Sequence, residues 1–339
     1  MRTSDFDYYL PPERIAQTPV EPRHASRLLV LQRNQRELEH THFWNVGDFL
    51  SPGDLLVINQ TRVIPARIFA HKLTGGKVEI LLLQRVDAVT WEALVGGKGL
   101  VTGRRLQVEN GPEAEISSML EGARRLVRFA EPVEPFLVNA GQMPLPPYIH
   151  TPLYDPERYQ TVYATQPGSA AAPTAGLHFT PELMVHLRET GIQFIQITLH
   201  VGLDTFAPVS EDDPLEHKIH TEWCEVTPEA AVVVNATRLA GKRVVAVGTT
   251  SVRTLETAAR LAGAGQGVVP FSGPTGLFIL PGDPFKVVDA MITNFHLPRS
   301  TRLMLVSAFV GRERILATYQ TAIREKYRFY SFGDAMLIL

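Results

Sequence analysis

The sequence predicts an α/β protein in which a largely parallel sheet, covered by helices on both faces, is interrupted by a small inserted β-rich domain. Three observations carry this. Strand and helix signals alternate between about 180 and 310. Short β-rich runs separated by glycine turns fill the stretch from about 66 to 145. The 339-residue length suits two domains better than one, at roughly 150 residues per domain.

The alternation has a repeated grammar. Thr180-Pro181-Glu182 reads as an N-cap, a proline at the first helical position and an acid in the first turn. That helix runs to a stop at Gly191, and Phe194 to Leu199 follows as a strand. Thr227-Pro228-Glu229 opens a second helix that Gly241 closes, and Val244 to Val247 is a continuously apolar strand. A third helix is expected over Val252 to Ala262, a strand over Lys286 to Ile292 and a helix over Arg299 to Val310. Apolar strands separated by helices imply a sheet buried on both sides.

The middle stretch differs. Ile68–Lys72, Lys77–Gln84, Trp91–Val95, Arg105–Val108 and Arg125–Phe129 are short strands, and Thr74-Gly75-Gly76 is a hairpin signal. Their spacing predicts a small barrel or sandwich. The main domain is left after the strand Asp54–Asn59, and the chain returns near Pro144-Leu145-Pro146-Pro147.

Composition bounds the function. Forty-five per cent apolar and 20% charged residues are ordinary globular values. A formal charge of −2 argues against a generic polyanion binder but leaves local patches open. A single cysteine, Cys224, leaves no internal disulfide framework and fits a reducing compartment. No signal peptide and no apolar run near the ~20 residues of a membrane span is visible, so the expectation is a cytoplasmic protein with no membrane association.

Candidate chemistry gathers where strands end. The loop from Gly168 to Phe179 is uncharged and rich in small residues, and it delivers His178 to the start of the Thr180 helix. His200 and Asp204 follow the strand that ends at Leu199, and ligands in α/β sheets bind beyond the carboxyl ends of strands. Gly248-Thr249-Thr250-Ser251 offers three hydroxyls and backbone donors at a helix start, an anion cradle. Arg253 in the first turn opposes the helix dipole unless an anion compensates it. Thr293 to Arg302 adds Asn294, His296, Arg299 and Arg302 after another strand. The Walker spacing, the Gly-x-Gly-x-x-Gly pattern and a methyltransferase glycine loop are all missing, which excludes the common nucleotide folds. His217 and His220 invite a metal reading, but Pro214 and the acidic run before them argue for a loop, and no metal site is expected. From Leu297 to Tyr330, seven basic residues stand against two acidic ones, with Tyr327, Phe329 and Tyr330 interleaved, as a phosphate backbone with stacking bases would require.

Several of these segments, Gly168–Phe179, Thr198–Phe206, His217–Val226, Gly248–Glu256 and Thr293–Arg302, resemble signatures of the S-adenosylmethionine:tRNA ribosyltransferase-isomerases. Arg14 to Gln17, Ser26 to Leu29, Asn59 to Val63 and Tyr327 to Met336 agree as well, so the resemblance spans the chain. Asp204 stands where glycine is expected and Asp283 where an aromatic is expected. The resemblance implies a large mixed-sheet α/β domain, discontinuous over 1–65 and 146–339, with an inserted small β-barrel over 66–145. It implies transfer and isomerisation of the ribosyl part of S-adenosylmethionine onto a 7-aminomethyl-7-deazaguanine at the tRNA wobble position. The product is epoxyqueuosine, with release of adenine and methionine. S-adenosylmethionine is then a consumed substrate, and no metal or redox cofactor is expected. The partners are tRNA, through its anticodon stem-loop, and S-adenosylmethionine, with the protein a monomer.

The same resemblance places roles. His178, His200 and His296 are the candidates for the base that deprotonates C5′ and the acid that protonates adenine. Thr249, Thr250, Ser251 and Arg253 hold the methionine carboxylate or a tRNA phosphate, Thr174 and Gly176 approach substrate, and Asn294, Arg299 and Arg302 position it. Asn59 and Arg62 join from the N-terminal strand. The competing readings are a phosphosugar isomerase or lyase, a non-catalytic RNA-binding module, and a metallohydrolase using His200, His217 and His220.

Overall fold

The computed structural model describes residues 1–202, 209–263 and 267–339, so Asp204 lies outside the described residues. The chain forms two compact units. The larger comprises Met1–Thr61, Pro147–Thr165 and Pro173–Leu339, and the smaller Arg62–Pro146 and Gln166–Ala172.

The larger unit is built on a nine-stranded mixed sheet. Its order is Phe271–Thr275, Glu222–Val226, Gln193–Leu199, Leu55–Asn59, Val244–Val247, Ala290–Asn294, Ala335–Ile338, Arg27–Leu31, Leu38–His42. The four strands from Gln193–Leu199 to Ala290–Asn294 run parallel, in register Phe194 to Leu56 and Val245 to Ala290. Antiparallel strands flank them, and Arg27–Leu31 pairs parallel with the C-terminal strand. Leu55–Asn59, Val244–Val247 and Ala290–Asn294 are buried along their whole length. That is why they read as unbroken apolar runs rather than alternating ones. One face packs against the helices Pro228–Leu239, Thr249–Leu261, Thr301–Val310 and Arg312–Arg324. The other packs against the helix Pro181–Glu189 and the turn Phe43–Phe49.

The two threonine-proline starts form as the sequence dictates. Thr180 Oγ1 accepts from Leu183 N at 3.3 Å and Thr227 Oγ1 from Ala230 N at 3.2 Å. Each cap is worth about 1 kcal/mol. Three elements depart from expectation. The third helix starts at Thr249 rather than Val252, because Gly248 takes φ +88° and lets the chain turn directly into it. The helix expected from Arg299 starts at Thr301, with Ser300 capping Leu303 N. The strand expected from Lys286 begins only at Ala290, since the N–H groups of Lys286, Val287 and Val288 are spent on the carboxylate of buried Glu256.

The smaller unit is a closed antiparallel barrel of six strands. Arg67–Lys72, Lys77–Arg85, Thr90–Gly96, Arg124–Phe129, Glu113–Met119 and Arg105–Val108 pair in that order, and the last returns to the first. The sequence reading missed Glu113–Met119. That strand buries only Ala114 and Ile116 and its outer positions are Glu and Ser, so it carries too little apolar signal. Inward residues alternate with outward ones, as Lys77–Arg85 shows with Val78, Ile80 and Leu82 buried.

Candidate active site

All the chemistry described below lies within the larger unit, where parallel strands end and helices begin. Arg62 belongs to the barrel unit.

Asn294, the last residue of its strand, gathers one cluster. Its Oδ1 accepts from Thr174 Oγ1 at 3.0 Å, and its Nδ2 donates to Tyr330 O at 3.1 Å and to His178 Nε2 at 3.2 Å. The His178 Nδ1 hydrogen is therefore directed to Ser26 Oγ at 2.7 Å. Phe43 stacks on the imidazole at 5.0 Å. Both ring nitrogens are committed and the side chain is buried, so loss of hydration pushes His178 down to about 3, with the positive charges of Arg328 and Arg23 adding to it. The imidazole is neutral at physiological pH. Gly176, in the same turn, has no room for a side chain, because a Cβ there would sit 2.1 Å from Tyr163 Oη and 2.8 Å from Thr161 Cγ2.

His296 and His200 are held similarly. His296 is buried, its Nε2 lies 2.8 Å from Thr293 Oγ1, and its backbone carbonyl accepts from Tyr8 Oη. Burial places its pKa well below the ordinary histidine value, and nearby Arg302 pushes the same way. His200 Nδ1 lies 2.8 Å from Thr61 Oγ1 and its ring stacks on Trp223 at 5.3 Å, and burial lowers its pKa too. Asn59 lies beneath this contact. Its amide exchanges hydrogen bonds with Leu199 N and O and accepts from Thr61 N, which makes it a clamp between strand ends with no polar atom left over.

One cleft containing predicted residues, about 620 Å³ counted with the solvent at its mouth, opens at the Thr249 helix start. Thr249, Thr250, Arg253 and Arg302 line it, together with Glu222, His217 and His220. A carboxylate answers the cation that opposes the helix dipole. Arg253 Nη1 bonds Glu222 Oε2, while Glu222 Oε1 accepts from Gly202 N at 2.9 Å. Thr250 Oγ1 is buried and makes no hydrogen bond among the described residues. Ser251 does not reach the cleft, because its hydroxyl turns back onto Val247 O at 2.9 Å within the helix. Arg302 also lines a second niche of about 300 Å³ with Thr174, Asn294, His296 and Tyr148. Removal from water lowers the Arg302 pKa, and Glu222 partly offsets that.

Two expectations need correction. Arg299 lines neither of these clefts. Its Nε donates to Asp7 at 2.8 Å and its backbone N to Phe6 O, so it fastens the N-terminal segment. The basic and aromatic C-terminal stretch is not a stacking platform, since Tyr327, Phe329 and Tyr330 are all buried in the core. Several of its cations are already engaged: Arg312 with Asp5 at 3.1 Å, Arg314 with the carbonyls of Gln32 and Arg33, and Arg328 with Asp334. Ser26 and Glu222 lie in segments that carry the resemblance but were given no role from sequence, and Tyr148 was not singled out. The charge of Arg253 pointed to a missing anion without naming Glu222.

The comparisons with known proteins bear on the family and the fold. The family model described as "Queuosine biosynthesis protein" matches residues 3–338. The S-adenosylmethionine:tRNA ribosyltransferase-isomerase of Moorella thermoacetica is 55% identical over the full length of both chains, and that of Carboxydothermus hydrogenoformans 54%. A crystal structure of S-adenosylmethionine tRNA ribosyltransferase from Thermotoga maritima matches with a TM-score of 0.58 at 41% identity, covering 99% of this chain and 100% of the other. The inserted barrel and the large mixed sheet, expected from the resemblance, are thus the architecture of the family. No helix among the described residues is long and apolar enough to cross a membrane. The chain belongs to the S-adenosylmethionine:tRNA ribosyltransferase-isomerase family of queuosine biosynthesis.

Proposed function

We propose that this chain transfers and isomerises the ribosyl moiety of S-adenosylmethionine onto 7-aminomethyl-7-deazaguanine at the tRNA wobble position, giving epoxyqueuosine-tRNA, adenine and methionine. The observation that carries the siting is the cleft at the Thr249 helix start. The first turn of the Thr249 helix, whose N–H groups carry the positive end of the helix dipole, the Thr250 hydroxyl and Arg302 come together at one opening. The methionine carboxylate is the anionic group that fits this end, held by Thr249, Thr250 and Arg302 against the positive end of the helix. Arg253 acts through Glu222, fixing the charge balance of the floor rather than meeting the substrate alone.

The Thr174–His178 turn and Asn294 form a neutral hydrogen-bonding wall against which adenine or the deazaguanine can lie. His178, His200 and His296 contribute as neutral imidazoles on this reading. Their burial removes the standing positive charge a general acid would need, and leaves donation, acceptance and shape. No metal or redox cofactor enters the reaction, which consists of proton transfers, eliminations and additions. The protein acts as a cytoplasmic monomer on the anticodon stem-loop.

The test incubates the protein with S-adenosylmethionine and tRNA carrying the aminomethyl-deazaguanine. Release of adenine and methionine with the matching mass gain on the tRNA is expected. An unchanged tRNA and no adenine would overturn the reading.

A further inference from the structure

One pair at the cleft mouth has no part in the roles above. His217 lines the cleft beside Thr249, Thr250, Arg253 and Arg302, and its Nδ1 lies 2.8 Å from Glu211 Oε2. Its side chain is about 20% exposed, so it is neither sealed in the core nor free in solvent. The ring meets Phe278 edge-on at 5.9 Å, which fixes its plane. A carboxylate on Nδ1 selects the tautomer whose Nε2 is a lone-pair acceptor, and it stabilises the imidazolium formed when that nitrogen takes a proton. His178, by contrast, spends both ring nitrogens on protein partners and stays neutral.

Resting on the proposed function, we infer that His217 is the catalytic base that removes the C5′ proton of S-adenosylmethionine, with Glu211 as its positioning residue. The sulfonium beside C5′ acidifies that carbon. The C–H electron pair stays on C5′ as a sulfonium ylide and the proton moves to His217 Nε2, giving an imidazolium opposite Glu211. The same proton is then available to the departing adenine nitrogen, so one residue serves both transfers and returns to its neutral form. Among the described residues, the charged and titratable groups facing this position are Glu211 on its own segment and His220, Glu222, Arg253 and Arg302 around the cleft. The Arg253–Glu222 pair is internally balanced.

The experiment measures adenine release by His217→Ala, His217→Asn and Glu211→Gln with S-adenosylmethionine and precursor tRNA. A matched control is His71→Ala, which removes a histidine paired with Glu109 at 2.6 Å on the barrel unit. His217→Ala should lose about 100- to 10,000-fold in kcat with a small change in KM, the usual range for removing a general base. Added imidazole should restore part of that loss. Glu211→Gln should move the acid limb of the pH profile to lower pH, because the imidazolium loses its counter-charge, and His71→Ala should match the unaltered protein. His217→Asn, whose amide can still bond Glu211, should remain folded and inactive. Near-normal kcat in either folded His217 variant would overturn the inference, as would a loss that imidazole does not relieve together with an unshifted pH profile in Glu211→Gln. If the unaltered protein itself released no adenine, the proposed function would be the failure.

Discussion

The larger unit holds two polar regions with opposite logic. Around Asn294 the groups answer one another: Thr174, His178, Ser26 and the Tyr330 carbonyl account for the amide and the imidazole. Around the Thr249 helix start the account is left open, with a Thr250 hydroxyl that makes no hydrogen bond among the described residues and a cleft beside Arg302. A saturated network fixes shape, whereas an unsaturated one is available to a ligand. Histidine identity alone does not separate the two, and only the hydrogen-bond accounting does.

The largest way to break this contrast is to unbalance the floor of the open region. Glu222→Gln should leave Arg253 buried without its counter-charge and cost about 3–5 kcal/mol. Urea denaturation would read it, and the Glu222→Met/Arg253→Met double variant should recover most of the loss. If the single and double variants were equally unstable, Glu222 would act as a packing group and not as a counter-ion.

The closed region can be tested through pH. His178 is held neutral, down to about 3, against an ordinary value near 6.5, and burial is the first cause. Between those values the unfolded chain binds a proton that the folded one refuses. Stability is therefore complete above about pH 6.5 and falls as pH drops toward 3, by about 1.4 kcal/mol per pH unit for one such group. His178→Gln should flatten that slope by about one proton's worth, with His296 and the carboxylates supplying what remains. An unaltered slope in the variant would mean that His178 titrates in the folded protein.

How much of this contrast was legible in the sequence follows from what each signal encodes. Thr180-Pro181 and Thr227-Pro228 encode local geometry, so both helices begin where expected. The strands Val244–Val247 and Leu55–Asn59 encode burial, and both are found. The first residues of the Ala290 strand could not be placed, because Glu256, some thirty residues earlier, takes the N–H groups a strand would have used. The charge conflict at Arg253 was legible, but its resolution was not. Glu222 comes from another strand, and the chain alone does not say whether a ligand or a side chain supplies the anion. Asn59 and Ser251 had residue types suited to substrate binding, and both are used by neighbouring backbone.

A smaller effect sharpens the closed side. Gly176→Ala should destabilise by about 1–3 kcal/mol, since the new methyl meets Tyr163 Oη and Thr161 Cγ2. Tyr163→Phe in the same chain should return only part of that, because the Thr161 contact persists. Full rescue would show that the turn yields toward the hydroxyl alone, and no loss in Gly176→Ala would show that the wall is not tightly packed at all.

The smallest expected effect belongs to Arg299, which the resemblance placed in substrate positioning and the structure places on Asp7. An exposed pair of this kind contributes between 0 and about 1 kcal/mol. Arg299 also takes φ +56°, a left-handed conformation that glycine accepts more readily than arginine. Arg299→Gly therefore exchanges a weak ion pair for relief of backbone strain, and its thermal midpoint should stay within a few degrees of the original. The KM for tRNA should be unchanged, while Arg302→Ala, which removes a group shared by two of the clefts, should raise the KM for S-adenosylmethionine. A rise in the tRNA KM for Arg299→Gly with an unchanged melting midpoint would return Arg299 to the substrate. The boundary of the open region would then extend to the N-terminal segment that Asp7 anchors.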